Sequence, residues 1–147
     1  MPAWRDRLRF AYRPVVNLAT GTVVALEMLA RPECGDVLAA ARHSPGLHAE
    51  LAALAVRAAD RQEVLLPLHL NVYATTVAAE PGLTALCKAV HDAGRRPWEI
   101  TLDIGGPFSG VPHPARGEGV ALLREEGYRV CVARRPGTGR RRPRWPR

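Results

Sequence analysis

Short apolar segments alternate with helical segments along most of this chain, and this alternation constrains the fold more than any other feature. Three short apolar segments are typical of buried strands: residues 64–72, 99–104 and 128–132. Three Ala- and Leu-rich segments with helical spacing predict helices: residues 36–61, 81–93 and 119–126. Strands that alternate with helices in this way predict an α/β protein with a parallel sheet covered by helices.

The segments ahead of this alternation predict a pair of neighbouring strands. Residues 9–18 and 23–31 are rich in β-formers, and Gly21 between them suits a turn that needs a positive φ. A break in the first long helix is expected near Ser44, where Pro and Gly follow. Residues 107–117 are rich in Pro and Gly and are expected to form a loop.

The positive charge of the chain is concentrated at one end. The chain has 21 basic and 14 acidic residues, a formal net charge of +7. Residues 134–147 contain seven Arg and no acidic residue, so residues 1–133 are formally neutral. We therefore expect an Arg/Pro-rich disordered tail over residues 133–147. A small basic nucleic-acid binder is an alternative that rests on this tail alone, and nucleic acid is not the partner that we expect.

Cysteine usage and hydropathy exclude several classes of protein. The three cysteines, Cys34, Cys87 and Cys131, are far apart and form no CxxC pair, so neither a zinc site nor a disulfide framework is indicated. No apolar run approaches the ~20 residues of a membrane span, and no signal peptide follows the start. We expect a cytoplasmic protein without a membrane partner.

Polar residues lie at the ends of three predicted strands. Glu27, Asn71 and Asp103 each fall near the carboxyl end of a strand, the edge at which parallel α/β folds build their sites. Two carboxylates and an amide oxygen suit a hard divalent cation such as Mg²⁺ or Mn²⁺. The same residues also fit ordinary polar strand ends, so spacing alone does not decide between the two interpretations.

Five short motifs, in order along the chain, resemble the EAL domain family of bacterial cyclic di-GMP phosphodiesterases. The first two are Tyr12-Arg13-Pro14-Val15-Val16-Asn17-Leu18, followed by a Thr-Gly turn, and the signature-like Glu27-Met28-Leu29-Ala30-Arg31. The other three are Asn71-Val72-Tyr73, Leu102-Asp103-Ile104-Gly105-Gly106, and Glu126-Gly127-Tyr128-Arg129-Val130-Cys131-Val132. The resemblance covers residues 9–132, which we take as an incomplete EAL-like domain.

The resemblance implies a fold and a set of site residues. The family fold is a modified TIM barrel, and this chain corresponds to roughly its first five strands, a partial (β/α) barrel. Glu27, Asn71 and Asp103 would bind the metal, Mg²⁺ or Mn²⁺, and Arg31 would contact the dinucleotide. A partial barrel leaves an open sheet edge, so self-association through that edge is also expected.

Several departures from the family pattern indicate that activity is lost. Asp103 stands where the family has Glu, and Arg13 stands where it has Gln. Arg134 and Arg135 stand where the family has a metal-binding Asp pair, which reverses the charge that a divalent cation needs. The active-site Lys and the other residues of the later strands have no counterpart, and Lys88, on a predicted helix, cannot replace that Lys.

These departures favour one function over another. We expect a catalytically inactive EAL-like domain in second-messenger signalling, with cyclic di-GMP binding weak or lost, or with a protein partner. The alternative is an active metal-dependent phosphodiesterase that hydrolyses cyclic di-GMP to the linear dinucleotide.

Overall fold

A computed structural model describes residues 4–32 and 36–132 of the chain. The tail over residues 133–147 and Cys34 lie outside the described residues, so the expectations made for them stay predictions. The helices are α1 (Trp4–Arg7), α2 (Asp36–Ala41), α3 (Pro45–Arg61), α4 (Ala74–Val77), α5 (Glu80–Asp92) and α6 (His113–Glu125). The strands are β1 (Leu8–Val16), β2 (Val23–Pro32), β3 (Leu68–Tyr73), β4 (Ile100–Gly105) and β5 (Arg129–Val132).

The described strands form one five-stranded sheet in which each strand pairs with the next one in sequence. The order is β1-β2-β3-β4-β5; β1 is antiparallel to β2, and the other three pairs are parallel. Helices connect the parallel strands, as a parallel pairing requires. This arrangement confirms the predicted α/β class, in which a sheet of the partial-barrel kind is covered by helices.

The β1–β2 hairpin contains a register shift that later decides which side chains meet. The turn has Gly21 at φ 70°, and the side-chain oxygen of Asn17 accepts a hydrogen bond from the Ala19 amide at 2.9 Å. Val16 pairs with Val23, but Val15 pairs with Ala25, which leaves Val24 without an opposite residue. Val24 is therefore a β-bulge, and it moves the rest of β2 by one residue against β1.

The predicted break in the first long helix is confirmed. Helix α2 ends at Ala41 and α3 begins at Pro45, where Pro suits the first turn of a helix. The Ser44 side chain caps α3 by accepting a hydrogen bond from the Leu47 amide at 3.3 Å.

The hydrophobic core lies between the sheet and the helices. One face of the sheet contributes alternate, buried residues of β2, β3 and β4, and α3 and α5 pack against them. The fully buried side chains include Leu68, Ile100, Leu102 and Ile104 from the strands and Val56 and Leu86 from the helices. Side chains one position away along each strand point to the opposite face, which carries the polar residues.

Two glycines allow α4 to approach the helices beside it. A Cβ on Gly82 of α5 would lie 2.8 Å from the Thr76 carbonyl oxygen. A Cβ on Gly119 of α6 would overlap the Val77 carbonyl and lie 2.9 Å from Val77 Cγ1. Helix α4 follows β3 directly, so these contacts hold the carboxyl end of β3 against its neighbours.

Two element boundaries and one additional helix depart most from the sequence expectation. Helix α6 begins at His113, inside the predicted loop over residues 107–117, because Pro114 can occupy the first turn and start the helix. Strand β3 begins at Leu68 instead of residue 64, and Arg95 donates hydrogen bonds to the carbonyls of Val64 and Leu66 in the loop ahead of it. Helix α1 was not predicted; its Arg5 forms a salt bridge with Glu50 of α3.

Candidate functional site

The polar face of the sheet brings three of the predicted site residues together. Glu27 is level with His69 across the β2–β3 pair, and Asn71 lies directly beside Asp103 across the β3–β4 pair. Because alternate residues of a strand share a face, Glu27, Asn71 and Asp103 all lie on one face. The strands that carry Glu27 and Asp103 are two strand spacings apart, about 10 Å.

Glu27 and Asn71 are in direct contact. Nδ2 of Asn71 donates a hydrogen bond to Oε1 of Glu27 at 3.0 Å. The Glu27 carboxylate also forms a salt bridge with Arg13 of β1. Burial raises the pKa of Glu27, but the hydrogen bonds from Asn71 and Arg13 and the charge of Arg13 together hold that pKa below its ordinary value. Glu27 is therefore ionised at neutral pH.

Arg31 lies on the same face as Glu27, four residues further along β2. Its guanidinium is exposed, and Nη1 donates to the carbonyl oxygen of Ala30 at 3.1 Å. Arg31 and Asn71 both contribute to the wall of a cavity of about 250 Å³ at this end of the sheet. The rest of the cavity wall, including Met28, His48 and Leu70, belongs to the helix-covered side of the sheet, so the cavity does not bring Arg31 to Glu27. Arg31 lies about 13 Å beyond Glu27 along β2, with its charge accessible to solvent.

The expected divalent metal does not fit these side chains as they are arranged. Within residues 4–32 and 36–132, no three His, Cys, Asp or Glu side chains come together in a way that could hold a metal ion. Asn71 uses its Nδ2 on Glu27, so only its Oδ1 could serve as an oxygen ligand for Mg²⁺ or Mn²⁺. The Glu27 carboxylate, which would be a ligand, already accepts hydrogen bonds on both oxygens.

His48 of α3 packs next to the site residue Asn71 and was not among the predicted residues. It lies in the first turn of α3 and is buried; its Nδ1 is 2.9 Å from Thr76 Oγ1. The ring also hydrogen bonds the backbone of Asn71, and its centroid is 4.4 Å from that of the Tyr73 ring. Burial lowers the pKa of His48 to about 4, so the imidazole is neutral at pH 7.

The contacts of His48 connect α3 to two neighbouring elements, α4 and the end of β3. Through Thr76 the ring reaches α4, and through the Asn71 backbone it reaches the end of β3. The only sequence signal for this role was the occurrence of two His, His43 and His48, within the Ala- and Leu-rich segment 36–61. Its partners become apparent only when α3 is packed on the sheet.

Comparison with known proteins gives a consistent answer at the level of the fold. No protein-family model matches the sequence, and no curated protein matches it. Solved structures do match: the phosphodiesterase PaMucR in complex with c-di-GMP is 20% identical with a TM-score of 0.70, over 92% of this chain and 63% of that one.

Two further structures extend this comparison. The Klebsiella pneumoniae protein BlrP1, in a manganese and cyclic di-GMP complex, is 19% identical with a TM-score of 0.72, over 90% of this chain and 35% of that one. The EAL domain of Xanthomonas citri FimX, in complex with c-di-GMP, is 14% identical with a TM-score of 0.62, over 85% of this chain and 54% of that one.

This chain spans less than two thirds of the length of each of these structures. At such identities the likeness concerns the fold alone. Among the described residues no helix is both long enough and apolar enough to cross a membrane. The resemblance read from the sequence motifs is thus confirmed at the level of the fold: the chain has the fold of part of an EAL domain.

Proposed function

We propose that this chain is a catalytically inactive EAL-like module that binds cyclic di-GMP on the polar face of its sheet. The observation that carries the proposal is the position of Arg31, Glu27, Asn71 and Asp103 on one sheet face of an EAL-type fold. Solved proteins with this fold include complexes with cyclic di-GMP. In this proposal Arg31 pairs with a phosphate of the ligand, since a guanidinium makes strong charge-assisted hydrogen bonds to phosphate oxygens.

Two features support a binding role over a hydrolytic one. The sequence after β5 has Arg134 and Arg135 where an active family member has two Asp residues. At the same face Glu27 is already paired with Arg13. Hydrolysis with the help of metal ions needs carboxylates that are open to those ions, because the metal activates the attacking water.

The test is isothermal titration of the full chain with cyclic di-GMP, in EDTA and again in Mg²⁺ or Mn²⁺. Chromatographic assay of the same samples for the linear dinucleotide follows. The expected result is saturable binding without linear product. Cyclic di-AMP is the matched control ligand, because it has the same phosphate ring but different bases.

Two results would overturn the proposal. Linear product that disappears in the Glu27→Gln variant would identify an active phosphodiesterase instead. Heat signals that are equally weak for cyclic di-GMP and cyclic di-AMP would show that the dinucleotide is not the ligand, and would leave a protein partner as the remaining role of the module.

A further inference from the structure

Arg13 and Glu27 form a close ion pair across the β1–β2 hairpin. They are directly opposite each other in the antiparallel register. Nε of Arg13 donates to Oε2 of Glu27 at 2.8 Å, and Nη2 of Arg13 is 2.6 Å from the same oxygen. Directly opposite residues have Cβ atoms only about 5 Å apart, so both side chains reach each other without leaving the sheet face. The contact therefore belongs to the sheet pairing and does not depend on a loop.

The other oxygen of Glu27 is also engaged. Oε1 accepts a hydrogen bond from Nδ2 of Asn71 at 3.0 Å. An ionised carboxylate can only accept hydrogen bonds, so Asn71 must present its NH₂ group to Glu27 and not its oxygen. Both Glu27 oxygens and the neighbouring amide are thus committed to a hydrogen-bonded cluster, in which the guanidinium of Arg13 supplies the positive charge.

Glu27 and Arg13 differ in how much of each side chain is exposed to solvent. The Glu27 side chain is only 17% exposed, whereas that of Arg13 is 65% exposed. A carboxylate with little contact to water needs a counter-ion close by. Arg13 provides it from β1, on the side of Glu27 opposite to Asn71 and β3.

We propose that Arg13 acts as a built-in cation that neutralises Glu27 and keeps divalent metal ions off the face formed by Glu27, Asn71 and Asp103. The chain would then carry a latent metal site that a single side chain closes. Removal of Arg13 leaves Glu27 without its counter-ion and frees its Oε2, while Asn71, whose Nδ2 donates to Oε1, keeps its own Oδ1 as a further oxygen ligand. Glu27, Asn71 and Asp103 can then supply oxygen ligands to Mn²⁺ or Mg²⁺.

The test uses Mn²⁺ alone, so its outcome does not depend on whether the chain binds a dinucleotide. The full chain is titrated with Mn²⁺, and the unbound ion is followed by its electron paramagnetic resonance signal. We expect Arg13→Gln to bind Mn²⁺ about tenfold more tightly than the wild-type chain, because a charge-assisted contact that competes with the ion has been removed. Adding Glu27→Gln to this variant should abolish the gain.

Arg129→Gln is the matched control, since Arg129 is an exposed residue on the same sheet face, in register with Thr101. It removes the same charge without touching Glu27 and should leave Mn²⁺ binding unchanged. Far-UV circular dichroism and a thermal melt check each variant for folding. If Arg13→Gln does not fold, Arg13→Thr replaces it, because Thr favours strands.

Three outcomes would overturn the proposal. The first is wild-type Mn²⁺ binding as tight as that of a folded Arg13 variant. The second is a gain in Arg129→Gln equal to that in Arg13→Gln, which would indicate a general charge effect. The third is a gain that persists after Glu27→Gln.

Discussion

His48 and Thr76 are joined inside the protein by a hydrogen bond of 2.9 Å between Nδ1 and Oγ1. An unfolded histidine titrates near pH 6.5, whereas burial lowers the pKa of His48 in the folded chain to about 4. Between these values the unfolded chain binds a proton that the folded chain does not. The free energy of unfolding should therefore fall by about 3 kcal/mol as the pH falls from about 6.5 to about 4, with no contribution from this group above that window.

Urea denaturation of the wild-type chain and of His48→Gln at pH 7 and pH 4.5 measures this effect. Over this pH interval the free energy of unfolding of the wild type should fall by most of the ~3 kcal/mol that His48 contributes. The free energy of unfolding of His48→Gln should not show this fall. His43→Gln is the control, because His43 is an exposed histidine in the connection between α2 and α3. An equal pH dependence of the wild type and His48→Gln would contradict the prediction.

Gly119→Ala should destabilise the chain by about 2–3 kcal/mol, because its methyl group would overlap the Val77 carbonyl and force α6 away from α4. Gly117 offers an unusually close control: it lies in the same helix, and a Cβ there meets nothing within 4 Å. Gly117→Ala should stabilise by about 0.5–1 kcal/mol through helix propensity. Chemical denaturation should show a lower free energy of unfolding for Gly119→Ala and a higher one for Gly117→Ala.

Ser44→Ala should cost about 1 kcal/mol, since it removes the side-chain oxygen that accepts a hydrogen bond from the Leu47 amide at the start of α3. Ser44→Asp keeps an acceptor at the same place and should retain most of the stability. The comparison is made by thermal or urea unfolding. Equal losses in the two variants would show that the cap does not contribute.

Arg31→Ala should weaken cyclic di-GMP binding by about 1.5 kcal/mol, roughly tenfold in Kd, if Arg31 pairs with a phosphate of the ligand. Isothermal titration against the wild type measures the change. Arg57→Ala removes an exposed Arg from α3, on the helical side of the sheet, and should leave the Kd unchanged. Similar Kd values for the Arg31→Ala and Arg57→Ala variants would show that Arg31 is not part of the binding site.

Val132→Lys should reduce self-association, because within the described residues β5 pairs only with β4 and Val132 is exposed. A charged side chain on such a strand disfavours pairing with another chain. Sedimentation velocity over a range of concentrations measures the effect. Leu122→Lys introduces the same charge at an exposed position on α6 and should leave self-association unchanged.

The sequence was sufficient to predict the order and type of the main elements, because the apolar spacing changes between strand and helix. It predicted Glu27, Asn71 and Asp103 near strand ends; Asn71 and Asp103 lie there, whereas Glu27 lies midway along β2 (Val23–Pro32). Alternation along the paired strands explains why the three share a face. The start of α6 was missed because Pro114 and Gly117 resemble loop residues. In the fold Gly119 is required by the close approach of α4, which is a tertiary contact that no local pattern records.

The partners of the site residues were harder to predict. His48 meets Thr76 and the backbone of Asn71 only once α3 lies on the sheet, so its sequence neighbours gave no indication of that role. Arg13 was noticed as a departure from the family residue, but its contact with Glu27 depends on the register of the hairpin. That register is shifted by an irregularity that a count from the turn does not reveal.

The bulge at Val24 determines which residue of β2 stands opposite Arg13. Without the extra residue, the pairing that starts at Val16 and Val23 would continue evenly and set Arg13 against Leu26. The guanidinium and the Glu27 carboxylate would then no longer be cross-strand partners. One unpaired backbone unit near the turn thus decides the electrostatic character of a surface three residues away, and a single-residue deletion in the hairpin could change the site without altering any of its side chains.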